Sequence, residues 1–152
     1  MGVEEVKRHF IDNHLPYEIL EFDESTETVE LAARALGVEP ARIAKSLAFK
    51  VKDRDILVVT RGDARIDNKK FKQQFRAKGK MMAPDEVLEA TGHPVGGVCP
   101  FGLKKDMEIY LDENLRAFDK VYPAAGSRNS CIEISPEELH AVTGAEWVDV
   151  CK

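Results

Sequence analysis

A chain of 152 residues has the length of one domain, residues 1–152, and is long enough to bury a core. Its 43% hydrophobic and 32% charged content is that of a globular protein in water, and its longest apolar runs, 56–59 and 81–83, are far too short to cross a bilayer. A net charge of −5 argues against general adhesion to nucleic acid.

The first residues, Met1-Gly2-Val3-Glu4-Glu5, are acidic and lack both the order of a signal peptide and the pattern for myristoylation, which predicts a cytoplasmic protein. Cys99, Cys131 and Cys151 are odd in number and far apart, so no disulfide framework is expected. The histidines also lack ligand spacing, so neither a metal nor a cofactor is expected.

In chain order, Val3, Val6, Phe10 and Ile11 recur at helical spacing, and Pro16 marks the end of that helix. Residues 17–22 read as a strand, and 29–36 as a helix capped by Thr26 or Thr28 and stopped by Gly37. Residues 44–51 and 56–61 form a hairpin around 52–55. Asp67 caps a helix running to Phe75, Met81 and Met82 make a short strand, and 84–91 is helical. A glycine-rich loop spans 93–102. Strands follow at 108–111, 120–122 and 131–134, then a helix from Ser135 to Val142 and a last strand at 147–150. Strands adjacent in sequence predict a mixed α/β fold. Its sheet would be curved and largely antiparallel, or a partial barrel, with flanking helices.

Three segments bear on chemistry. Alternation along 43–51 puts Lys45 on one face with Ile43, Leu47, Phe49 and Val51, where an apolar residue is expected. Either its head reaches solvent from the strand end or it lines a wet pocket. Ser46 leaves the opposite face, so the two make no nucleophile pair; a place under a helix is expected for it. The loop containing Gly96, Gly97, Val98, Cys99 and Pro100 supplies bare N–H groups suited to an anion, and Cys99 reads as a packed thiol. The stretch Ala124-Ala125-Gly126-Ser127-Arg128-Asn129 forms either a pocket wall or a solvated turn. From 69 to 80, Lys69, Lys70, Lys72, Arg76, Lys78 and Lys80 occur without an acid, as a phosphate-binding patch or as a solvated helix face.

An inward Lys45 after Val38-Glu39-Pro40-Ala41-Arg42-Ile43-Ala44, the Gly-Gly-Val-Cys-Pro-Phe-Gly loop, and Ala-Gly-Ser-Arg before a strand together resemble the YbaK/ProX family over almost the whole chain. That family comprises free-standing aminoacyl-tRNA deacylases and the editing domain of prolyl-tRNA synthetases. The resemblance implies a curved sheet, hydrolysis of mischarged aminoacyl-tRNA such as Cys-tRNA(Pro), tRNA as partner, and an aminoacyl-tRNA synthetase as a further one. It implies Lys45 as the site lysine, Gly96 to Pro100 as the glycine-proline loop and Gly126 as a glycine of the second loop. On a hydrolase reading, N–H groups at Gly97, Val98 and Cys99 are expected to receive the carbonyl oxygen. Phe22, Gly96, Pro100, Gly126, Ser127 and Arg128 would contact substrate, and Lys69, Lys70, Lys72, Arg76 and Lys78 the acceptor stem. The chain departs from the cysteinyl-tRNA-clearing members at Cys99, Ala124 and Cys131, where those carry serine, serine and aspartate. It also lacks the second-loop histidine of the alanine-clearing members. The alternative is a non-catalytic tRNA- or nucleotide-binding module of the same fold.

Overall fold

The computed structural model describes residues 2–152; Met1, first residue of the expected domain, lies outside the described residues. In chain order come α1 (Val3–Asp12), β1 (Leu20–Glu21), α2 (Val29–Leu36), β2 (Ile43–Val51), β3 (Arg54–Arg61), α3 (Asn68–Phe75) and β4 (Lys80–Met81). Then follow α4 (Pro84–Thr91), β5 (Glu108–Asp112), β6 (Tyr122–Pro123), β7 (Ser130–Cys131), α5 (Pro136–Thr143) and β8 (Glu146–Val148). Single 3-10 segments at Pro40–Arg42 and Glu113–Ala117 lead into β2 and out of β5.

The helices begin where the sequence offers oxygen acceptors. Thr28, Asp67 and Ser135 cap α2, α3 and α5 with their side chains, and Gly37, Gly92 and Gly144 close α2, α4 and α5 in the left-handed conformation.

The fold is mixed α/β, as expected, and its larger sheet mixes directions more evenly than adjacent strands suggested. Its order is β4-β2-β3-β5-β8, with β6 also on β2. The β2·β3 and β2·β4 pairs are antiparallel, whereas β2·β6, β3·β5 and β5·β8 are parallel. The parallel joins are made through the helical connections that such pairing requires. One sheet face carries Phe49, Val51, Ile56 and Val58 against Phe71 and Phe75 of α3. The other packs Ala44 and Val59 among Phe10, Phe101, Leu111, Ile132 and Leu139, and Ala48 and Leu57 against α4.

Five expected strands are shorter or shifted. Beyond the paired rungs, Val121–Ile134, Ala124–Cys131 and Ile66–Cys151 meet only as isolated bridges. Residues 17–19 have no strand opposite them: β1 meets β7 over two rungs only.

The end of the chain is bonded to the segment after β3. The Asp67 N–H donates to the Val150 carbonyl (2.8 Å) and the Lys152 N–H to the Arg65 carbonyl (3.0 Å). Asp112, 2% exposed, accepts from the N–H groups of Val150 (2.9 Å) and Asn114 (3.0 Å). Asp112→Ala leaves the Val150 donor buried and unpaired. It is expected to lower stability by about 1–3 kcal/mol, read from the midpoint of urea unfolding at constant slope.

Candidate active site at a strand edge

A cavity of about 300 Å³ opens along the outer edge of β2. Residues 43–48 form its floor; Thr26, Val29 and Ala32 one wall; Met81, Met82 and Val87 another; and Gly96, Val98, Tyr122, Ala124 and Cys131 complete it. Lys45 and Glu27 are its only charged lining residues.

Lys45 is half-buried and lines the cavity. Its Nζ donates to the carbonyls of Gly62 (3.2 Å) and Ala64 (2.5 Å), so the head is turned neither into bulk water nor onto a carboxylate. Burial lowers its pKa, opposed chiefly by the nearby Cys151 and then by Asp63 and Glu30. The acceptor turn is rigidly built. Arg61 Nε and Nη2 grip Asp63 (2.7 and 3.1 Å), and the Ala64 N–H donates to the Arg61 carbonyl (3.1 Å). At Gly62 a Cβ would lie 2.2 Å from the Pro40 carbonyl oxygen, so only glycine fits.

The glycine-rich loop divides its residues between cavity and core. Gly96 (φ +95°) and Val98 line the cavity. Gly97 and Cys99 are buried behind it, and Pro100 borders a second, more open cavity beside His9 and Leu103. Two expectations need correction. The Gly97 N–H is already donated to the Pro94 carbonyl (2.9 Å), and Cys99 is fully buried, so neither N–H is presented to a ligand. Among the described residues the N–H groups of Gly96 and Val98 have no partner.

The second loop is bound to the first. The Gly126 N–H donates to the Gly97 carbonyl (2.9 Å), and a Cβ on Gly97 would meet the Ser127 backbone at 2.7 Å. Ser127 and Arg128 are not lining residues. Ser127 Oγ donates to Ser130 Oγ (2.7 Å), and Arg128 Nε donates to the Val95 carbonyl (3.0 Å), 3.9 Å from Glu27. Phe22 sits behind the wall with Ala32, Ile43 and Cys131. Phe22, Gly126, Ser127 and Arg128 thus lie outside the lining.

Of the basic stretch, Lys69, Lys72, Arg76 and Lys78 are exposed. Lys70 is held by Asp149 (3.1 Å) and the Cys151 carbonyl (2.9 Å). The stretch ends at Lys80, next to Met81 of the cavity wall.

Sequence reasoning missed Thr26 and Ser46 as lining residues; both hydroxyls are buried without a partner. Thr26 was legible as one of two possible caps; the cap proved to be Thr28, leaving Thr26 beside the Cys131 thiol. It also missed His93, six residues before Cys99 and fully buried. His93 Nε2 lies 2.7 Å from the Phe101 carbonyl, which only accepts, so Nε2 carries the proton. Cys99 Sγ is 3.7 Å from both His93 Nε2 and the Phe101 oxygen. Burial pushes the thiol up to about 12 and lowers His93, so the pair is neutral packing rather than an activated nucleophile.

Among the described residues no three His, Cys, Asp or Glu side chains gather as a metal site would require, and no helix is long and apolar enough to cross a membrane.

A mixed-sheet α/β protein with a lysine-bearing, largely apolar cavity at a strand edge is the class that fold and site define. The family model of the aminoacyl-tRNA editing domain matches residues 23–142, and the chain belongs to that family. It is 51% identical to YwhH, an uncharacterized protein of Bacillus subtilis, over 100% of this chain and 98% of that one. It is 30% identical to EbsC of Enterococcus faecalis, provisionally named a Cys-tRNA(Pro)/Cys-tRNA(Cys) deacylase, over 92% of this chain and 88% of that one. It is 35% identical to the proline–tRNA ligase of Bacillus licheniformis over 70% of this chain but only 18% of the ligase. A crystal structure described as a candidate trans-editing enzyme for prolyl-tRNA synthetase superposes with a TM-score of 0.92 at 31% identity, covering 99% and 96% of the two chains.

Two outcomes are expected from this geometry. All three cysteines are buried, and burial raises each thiol, Cys99 and Cys151 to about 12. A thiol-labelling reagent at pH 8 is therefore expected to modify none of them until the protein unfolds, with all three reacting in denaturant. His93 has a folded pKa below its ordinary 6.5 because of burial, so the unfolded chain binds the proton more readily. Its share of stability is full above pH 6.5 and is lost as pH falls below it. Urea titrations of wild type and His93→Phe between pH 7.5 and 5 are expected to show the shallower acid dependence in the variant.

Proposed function

We propose that the protein is a free-standing hydrolase that removes a wrongly attached, small amino acid from tRNA in the cytoplasm, with residues 1–152 acting as one domain. The observation that carries this is Lys45, a lining residue of the cavity whose ammonium is held by two backbone carbonyls. A tetrahedral ammonium has three N–H bonds, and two are spent on Gly62 and Ala64. The third is free for a phosphate or a ribose oxygen at the 3′ end of the tRNA.

An aminoacyl ester needs no strong nucleophile. The lining holds no histidine, and its one carboxylate, Glu27, lies near Arg128 (3.9 Å). A water positioned by the substrate's own neighbouring ribose hydroxyl suits this lining. The water oxygen bonds to the carbonyl carbon, the bond from that carbon to the ribose oxygen breaks, and the ribose oxygen takes up the proton the water gives up. Gly96 and Val98 line the cavity with N–H groups that have no partner among the described residues, and these would favour the oxyanion. The apolar walls admit a small side chain and exclude a large one, as a second sieve does. Lys69, Lys72, Arg76, Lys78 and Lys80 would run the acceptor stem along the outside of α3 and β4, with Lys70 occupied internally. Synthetases that mischarge the tRNA are the natural second partners.

A panel of mischarged tRNAs is expected to contain at least one that wild type deacylates, in the presence of EDTA as well as without it. Lys45→Ala is expected to lose about 100-fold in kcat/KM while keeping the fold, read from its circular dichroism. No turnover of any substrate by wild type, or equal rates from both proteins, would overturn the proposal.

A further inference from the structure

The outer edge of β2 is incomplete at one residue. β6 pairs with it as far as Ala44, and β4 begins opposite Phe49. Within a strand, the N–H and C=O of each residue leave on one side, and the side alternates along the chain. The Ala48 carbonyl accepts from the Met82 N–H (3.0 Å), so Ala48 faces outward. Ala44 and Ser46 therefore face outward too, while Lys45 and Leu47 bond to β3. An independent contact agrees: the Arg61 N–H, opposite Ala44, donates to Asn114 Oδ1 rather than across the ladder (3.3 Å). Ser46 is left between β6 and β4 with no strand opposite. Among the described residues nothing outside the strand accepts its N–H or donates to its carbonyl, and its buried hydroxyl is also unpartnered. Unsatisfied polar groups in a mostly apolar cavity carry a cost that a complementary ligand removes.

We propose that this gap receives the backbone atoms of the aminoacyl group, with Ser46 as the residue that positions them. An aminoacyl ester carries an ammonium donor and a carbonyl acceptor on adjacent carbons, as one residue of a strand carries its N–H and C=O. The Ser46 carbonyl accepts from the α-ammonium and the Ser46 N–H donates to the ester carbonyl oxygen, completing the rung missing between β6 and β4. This rests on the proposed reaction and deepens it. As water adds, negative charge grows on that oxygen and the bond from Ser46 strengthens. Recognition at this edge reads what all α-amino acids share and leaves the choice of side chain to Val29, Ala32 and Cys131. A substrate with a blocked amino group loses the ammonium contact and is disfavoured.

Amide hydrogen exchange followed by NMR tests the edge without altering the protein. In the free protein Ser46 is expected to exchange on the order of 100-fold faster than Lys45 and Leu47, which are bonded to β3. A non-hydrolysable 3′-amide-linked aminoacyl-adenosine, added until the Val98 resonance stops moving, is expected to slow Ser46 at least about tenfold. Ser46→Pro removes the N–H at a position where an edge strand tolerates proline, and is expected to cost about 100-fold in kcat with the melting temperature held. Unchanged Ser46 exchange at saturation, or wild-type turnover by a folded Ser46→Pro, would overturn the inference. Protection of Ser46 without hydrolysis of any aminoacyl-tRNA by wild type would remove the reaction and keep the docking edge. Hydrolysis without protection would do the reverse.

Discussion

The site depends on two short strands that share one edge of β2 and do not meet. β6 arrives parallel at the beginning of β2, and β4 arrives antiparallel at its end. Strands running in opposite senses cannot be one continuous partner, so the ladder breaks between Ala44 and Ala48. A break inside a sheet is normally covered by a helix or filled by side chains. Here the residues around it are mostly small or unbranched: Ala32, Ala124, Gly96, Met81 and Met82. Space remains, and that space is the cavity.

The lysine is placed by the same logic of backbone supply. A carboxylate partner would fix the ammonium and neutralise it. Two carbonyls solvate it and leave its charge uncompensated, which suits an anchor for an anionic ligand. Those carbonyls lie in a turn held at both ends. On one side the absent side chain of Gly62 lets the turn close on Pro40. On the other, the end of the chain is bonded to residues 65–67, with Asp112 securing Val150. The position of a charge at the cavity wall is therefore set by contacts that are themselves remote from the cavity. A change at the end of the chain reaches the turn that holds Lys45 through two backbone hydrogen bonds, and Cys151 also lies near Lys45 itself.

Much of this was legible in the sequence wherever a local rule suffices. The bounds of α2, α3 and α4 follow from Thr28, Asp67, Pro84 and the closing glycines. Lys45 stood out through alternation alone, because the strand is long enough for its period to be read. The short strands were misjudged because β1, β4, β6 and β7 have two residues each and exist only through a partner distant in sequence. The same blindness hid Ser46. Its side chain does leave the face opposite Lys45, as alternation requires, but a free edge opens to both faces and the cavity wraps around it. Pairing partners decide that, and one sequence does not display them.

The loop chemistry has a comparable lesson. A pair of glycines suggests that both backbones approach a ligand, yet of the two only Gly96 lines the cavity. Gly97 is glycine because another loop passes against it, with the Ser127 backbone where a Cβ would be and the Gly126 N–H on its carbonyl. The loops thus form a bound pair, and Val98 lines the cavity between them. Cys99 then fits as the inward residue that anchors the loop beside His93 and Phe101, where a neutral thiol packs and an activated one would not. Ala124 and Cys131 face each other on the far wall, which carries no charge; the charged lining residues are Lys45 and Glu27. Under the proposed reaction, discrimination among amino acids falls to the shape of the walls and to the Thr26 hydroxyl, and Lys45 and the strand edge would hold the parts that every substrate shares.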